Sequence, residues 1–163
     1  MRLGIISDTH DQLERTQRAI AALLEAGATH FCHCGDFCCG EILELFSPHS
    51  TWYVYGNNDD YIIPRLMEIS AEYPNLISLQ WGGIFELAGK RIGVTHGHLL
   101  KEVKALLQAK PDFLLSGHSH IANRWEQDGV QRINPGAIFR AHPFTVAVLD
   151  LESGTTEQIV VGK

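Results

Sequence analysis

The sequence predicts an α/β fold in which two mixed β-sheets pack face to face, with helices on the outside. Two observations carry this. Up to residue 71, short apolar and β-branched runs alternate with helical periodicity, the pattern of parallel strands joined by right-handed crossovers. Beyond that point short strand-like runs are separated by a few turn residues, the pattern of antiparallel hairpins. Two mixed sheets with helices outside satisfy both halves.

The elements follow in order. Residues 3–7 read as a strand. Residues 12–26 read as a helix, because Leu13, Ala19, Ile20, Leu23 and Leu24 recur at helical spacing and Gly27 follows as a stop. Residues 31–34 form a second strand and 41–46 a short helix ended by Ser47 and Pro48. Residues 51–55, rich in aromatic and β-branched side chains, form a third strand, and 64–71 another helix. Short strands are expected over 77–79, 84–87 and 91–95, the last two joined by Ala88, Gly89 and Lys90. A helix over 99–108 ends near Pro111, before a strand over 113–115. Residues 121–126 pair with 130–133 across Asp128 and Gly129, and 144–151 pair with 155–161 across Ser153 and Gly154. No linker, repeat or low-complexity stretch interrupts the chain, so residues 1–163 are expected to form one domain.

Composition bounds the function. Hydrophobic residues make up 45% and charged residues 20% of 163, which suits an ordinary globular protein with a real core. Thirteen basic residues face 19 acidic ones, for a net charge of −6, and the basic residues form no run. That disfavours a nucleic-acid binder, which needs a basic face to neutralise phosphates. No apolar run is long enough to span a bilayer, so no membrane partner is expected. The first residues enter a strand directly, with no apolar leader, so the expected location is the cytoplasm. Cys32, Cys34, Cys38 and Cys39 lack the spacing of a structural zinc site. They read as small buried side chains and free loop thiols, in keeping with a reducing compartment.

The chemistry lies in seven side chains that fall where strands run out. They are Asp8 and His10 in S-D-T-H, Asp36 in C-G-D, Asn57 in G-N-N-D, His96 in T-H-G-H, and His118 and His120 in G-H-S-H. Each alone is an ordinary turn or surface residue. Jointly they can meet at one sheet edge. Carboxylates, imidazoles and an amide oxygen suit a mid-series divalent metal, and seven donors suit two ions sharing a carboxylate.

The ordered pattern D-x-H, G-D, G-N-x-D, H-G-H, G-H-S-H resembles the calcineurin-like metallophosphoesterase superfamily. Length and spacing resemble its small YfcE/MJ0936-type phosphodiesterase branch, to which the retromer subunit Vps29 is related. The resemblance runs from Ile5 to about Ala137 and includes I-N-P-G-A at residues 133–137. It implies a four-layer α/β-β/α sandwich. It implies one metal held by Asp8, His10, Asp36 and His120, and a second held by Asp36, Asn57, His96 and His118, with Asp36 bridging. The ions would be Mn first, with Fe, Co, Ni or Zn as other candidates. The implied reaction is hydrolysis of a small phosphodiester by a hydroxide bridging two ions. A homodimer is a further expectation from the branch.

One departure matters. Many superfamily members carry histidine after the asparagine, where this chain has Asn58. Asn58 can donate a hydrogen bond to phosphate but supplies no acid. His98 is the other candidate contact or acid. The alternatives are a phosphomonoesterase, weakened by Asn58, and a Vps29-like binding scaffold, weakened by the full ligand set.

Overall fold

The computed structural model describes residues 1–162. Its first sheet has six strands in the order β11-β10-β1-β2-β3-β4: Thr156–Val160, Thr145–Asp150, Arg2–Ile6, His30–His33, Thr51–Tyr53 and Leu76–Ser78. β1 to β4 run parallel, while β10 lies antiparallel to β1 and β11 antiparallel to β10. The second sheet has five strands in the order β5-β6-β7-β9-β8: Gly82–Leu87, Lys90–Thr95, Phe113–Leu115, Val130–Asn134 and Asn123–Gln127. Its centre, β6-β7-β9, is parallel and its two edges are antiparallel. The expected pair of mixed sheets is therefore present.

Strand alternation builds the layers. Leu3 and Ile5 of β1 point between the sheets, where they meet Val54, Phe85, Ile92, Val94, Leu115 and Leu149. Ile6 points the other way, into the layer under the outer helices. There α1 (Leu13–Glu25) presents Ala19, Ile20 and Leu23, while α2 (Gly40–Glu44) contributes Ile42 and α3 (Ile63–Glu72) contributes Leu66 and Ile69. On the second sheet α4 (Leu100–Gln108) buries Val103, Leu106 and Leu107 against Leu114 and Val130. Among the described residues no helix is long and apolar enough to cross a membrane.

Most element boundaries differ from expectation by a residue or two, and three of the differences bear on the loops around the site. A 3-10 turn, Asp60–Ile62, precedes α3, so helical structure begins before Pro64, which sits in the first helical turn where its missing N–H costs nothing. β8 starts at Asn123 rather than residue 121, because Ile121 is 68% exposed and belongs to the loop leaving His120. β3 ends at Tyr53, and residues 54–57 form a connection into the site.

One contact bridges the sheets directly. Trp52 of β3 stacks on Phe85 of β5 with ring centroids 4.1 Å apart and planes 8° from parallel. Phe85→Ala removes a buried aromatic from this layer, and the expected loss is about 3–5 kcal/mol of stability, read from denaturant midpoints.

Candidate metal centre

Parallel strands deliver their C-terminal ends to one edge of a sheet. Asp8 and His10 follow β1, Asp36 follows β2 and Asn57 follows β3. From the second sheet His96 follows β6, and His118 and His120 follow β7. Backbone hydrogen bonds tie these loops together: Asp8 N–H donates to Gly35, His10 N–H to Asp36, and Gly117 N–H to His96, each at 2.9–3.0 Å. Across the sheets, His118 N–H donates to Asp8 Oδ2 at 3.1 Å.

The side chains converge on two buried carboxylates. Asp8 Oδ1 lies 3.2 Å from His120 Nε2 and 3.9 Å from both His10 Nε2 and His96 Nε2. Asp36 Oδ2 lies 3.3 Å from His10 Nε2 and 3.5 Å from His96 Nε2, so it stands between one histidine of each expected set. His96 Nε2 is 3.2 Å from Asn57 Oδ1. Two groups of donors, Asp8-His10-His120 and Asp8-Asp36-His96, each gather within 4.8 Å. Asp8 Oδ1 and His10 Nε2 are buried without a hydrogen-bond partner. Orphaned donors of this kind, in a set of carboxylate oxygens and imidazoles, fit a transition metal. His118 joins neither group. Its exposed ring lies 5.2 Å from that of His96 and 6.0 Å from that of His98.

The rings are oriented from behind. His96 Nδ1 is 2.7 Å from the carbonyl of Cys34, and His10 Nδ1 is 3.3 Å from Cys38 Sγ. With Nδ1–H donating outward, each Nε2 lone pair is left facing the carboxylates. Cys38, read from the sequence as an idle loop thiol, thus positions His10. Burial, and then the nearby Asp59 and Asp36 carboxylates, push it up to about 12, so it stays a thiol. His33, buried and stacked on Phe37, bonds Thr9 Oγ1 and the Gly35 N–H, and burial lowers it to about 3, so it is neutral.

Asp59 clamps the Asp36 loop. One of its oxygens accepts from the N–H groups of Phe37 and Cys38, the other from those of Asp36 and Gly56. Gly56 has no room for a side chain, since a Cβ there would collide with Asp36. Asn134, in the I-N-P-G-A segment, plays the matching part on the other sheet. Its amide donates to the Gly117 carbonyl and Ser119 Oγ, while its oxygen accepts from Gly136 N–H. Both residues stand inside the motif strings G-N-N-D and I-N-P-G-A, where the sequence assigns them no role. Only tertiary structure reveals which N–H groups they serve.

The remaining candidates are placed as follows. Asn58 donates its amide to Asp36 Oδ2 at 2.7 Å and its backbone N–H to Oδ1 at 2.9 Å. One amide N–H therefore remains for a ligand. Burial tends to raise Asp36, but the adjoining His10 and His96 imidazoles outweigh it and hold the carboxyl far below the usual range. Burial tends to lower His96, but the adjoining Asp36 carboxylate and the charge of Asp8 win and raise it. The adjoining Asp8 carboxylate raises His120. His98 is lowered by burial and by the neighbouring His96 and His118.

A family model described as the calcineurin-like phosphoesterase superfamily domain matches residues 1–154. The chain belongs to that superfamily. Among curated relatives of this phosphoesterase, Phosphodiesterase MJ0936 of Methanocaldococcus jannaschii is 29% identical over 99% of both chains. Phosphodiesterase YfcE of Escherichia coli K12 is 24% identical over 85% of this chain and 79% of its own. The solved structure of an archaeal phosphodiesterase superposes with a TM-score of 0.87 at 27% identity, covering 98% of this chain and 99% of that one. Vps29 from Entamoeba histolytica, solved with Zn2+, gives a TM-score of 0.63 at 15% identity, covering 99% of this chain and all of that one, a likeness of fold alone.

Two outcomes follow from this geometry. Asp59→Ala strands four backbone N–H groups, and a loss of about 3 kcal/mol or more is expected in urea unfolding, with weakened metal binding. In metal-free protein the raised His96 and His120 contribute stability that is fully present below about pH 6.5 and lost as pH rises through their folded values. Metal needs these imidazoles neutral. The thermal shift caused by added Mn2+ should therefore grow from pH 6 to pH 8; a shift that shrinks over that range contradicts the assignment.

Proposed function

We propose that this phosphoesterase is a two-metal phosphodiesterase acting on a small phosphodiester. The supporting observation is the pair of buried carboxylates, Asp8 and Asp36, facing imidazoles from both sheets with Asp8 Oδ1 and His10 Nε2 left without partners. Asp8, His10, Asp36 and His120 would hold one ion, and Asp36, Asn57, His96 and His118 the other. Exposed His118 and Asn57 lie at the mouth, where closing onto an ion asks least of the backbone. Bound dications supply an activated water and neutralise charge growing on the phosphoryl oxygens.

The protein's own contribution is positioning. Asn58 keeps one amide N–H for a phosphoryl oxygen while bracing Asp36. His98, pushed toward its neutral form by burial and by His96 and His118, carries an N–H for hydrogen bonding but is a poor source of imidazolium to protonate a departing alkoxide. A strong general acid is worth about 10²–10⁴-fold, so the site favours esters whose leaving group departs without one. That argues for activated diesters and against ordinary monoesters. Mn2+ is the preferred ion among Mn, Fe, Co, Ni and Zn, since the mixed oxygen and imidazole donors match this series. The four free cysteines support a cytoplasmic setting.

The test is hydrolysis of bis-p-nitrophenyl phosphate and p-nitrophenyl phosphate by metal-stripped protein with each ion added back. Diester turnover restored by Mn2+ is expected. Asp36→Ala and His118→Ala should each lower it by at least about 10²–10³-fold. Undiminished turnover in either purified variant would sink the proposal.

A further inference from the structure

Beside the metal centre lies a groove of about 490 Å3 between α3 and the ends of β3 and β4. Ile63 and Met67 of α3 form one wall, and Tyr55 and Trp81 the other. None of its described lining side chains is charged. Its polar side-chain atoms are the hydroxyls of Tyr53, Tyr55, Ser70 and Ser78 and the amide of Gln80. Met67 is 58% exposed and borders the groove on the α3 side.

The groove is continuous with the site. Its rim belongs to the segment that carries Asn57, Asn58 and Asp59, with Tyr55 just before and Ile63 just after. Trp81 meets Tyr55 edge to face at 5.5 Å and His98 at 5.9 Å. His98 in turn lies 5.3 Å from His96. Its Nδ1 is buried without a hydrogen-bond partner. His98 is therefore the step between the aromatic groove and the ligand cluster.

We propose that this groove is the subsite for one ester group of the substrate, and that the group is a neutral aromatic one. The inference rests on the phosphodiesterase reading. A phosphate held at the carboxylate-imidazole cluster projects an ester arm past His98 and along Trp81. Aromatic faces and the Met67 thioether favour a planar ring. The uncharged lining gives no counter-ion to a charged head group, and burying one there would be costly. The serine hydroxyls are engaged, Ser70 with Tyr53 and the Leu66 carbonyl and Ser78 with Tyr55 and the Gln80 N–H, so the Gln80 amide supplies the hydrogen-bonding capacity for a ring with polar edges. An aryl or nucleobase-like substituent meets all three conditions, whereas a charged aliphatic ester meets none.

The experiment separates binding from turnover. Diphenyl phosphate and diethyl phosphate are titrated calorimetrically into Mn2+-loaded protein, its Met67→Glu variant and its Trp81→Ala variant. Turnover of bis-p-nitrophenyl and ethyl p-nitrophenyl phosphates is measured alongside. The native protein should bind the diphenyl ester about tenfold more tightly than the diethyl ester. Both variants should reduce that preference to within about threefold, while changing diethyl phosphate binding little. Met67→Glu alters an exposed helix face, so it reports on the groove even where Trp81→Ala is poorly folded. Equal binding of the two esters by native protein, or a preference that survives Met67→Glu, overturns the subsite. So does a concentration-dependent dimer that Met67→Glu dissociates, which would give the groove to a second copy of the chain. An aromatic preference without turnover of either chromogenic diester keeps the subsite and removes the phosphodiesterase reading instead.

Discussion

Two carboxylates, buried side by side, set the terms for the rest of the molecule. Asp8 and Asp36 follow neighbouring parallel strands, and each is nearly inaccessible to water. Two like charges in such a place are unfavourable unless partners surround them. The partners come from everywhere in the chain. Ser7 Oγ and the His118 N–H occupy one oxygen of Asp8. The Asn58 backbone and amide serve Asp36. Imidazoles from both sheets face Asp8 Oδ1 and Asp36 Oδ2. The sheets must pack with their active edges on the same side for this to happen, and the layer of Leu3, Ile5, Val94, Leu115 and Phe85 fixes that arrangement.

The backbone bears part of the cost. Asp8, His10, Asp36, His118 and His120 all have positive φ, between 42° and 68°. For residues with a Cβ that region is sparsely populated, and holding several together requires loops fixed from outside. Asp59 and Asn134 provide this fixing, one for each sheet. Their contribution is to hold bent loops still, so that five sharply turned residues aim at one point.

Much of this was legible in the sequence because it is local. Strand alternation, helical spacing and turn chemistry located nearly every element, and the seven candidate ligands fell at strand ends as their order suggested. What sequence could not supply was long-range. The final hairpin joins the first sheet beside β1, a pairing that no local pattern encodes. The thiol of Cys38 faces His10 only because the loop after β2 turns back through Asp36 and Cys38, both at positive φ. The burial that lowers His98, and the push from His118 on another loop, are set by tertiary packing. Asn58 looked like a free phosphate donor, but the fold gives half of its donor capacity to Asp36.

The place of β10 has a consequence for how such a molecule is made. Arg2 pairs with Asp150, and Ile5 with Ala147. The first strand of this fold to emerge from a ribosome therefore stays open along one side until β10 has followed. Contacts of such long sequence separation form late. Asp8 and His10 leave early, yet the ground they stand on is finished last. Metal offered to the growing chain meets scattered side chains, and the fully bordered cluster exists only after the late strands have closed the sheet.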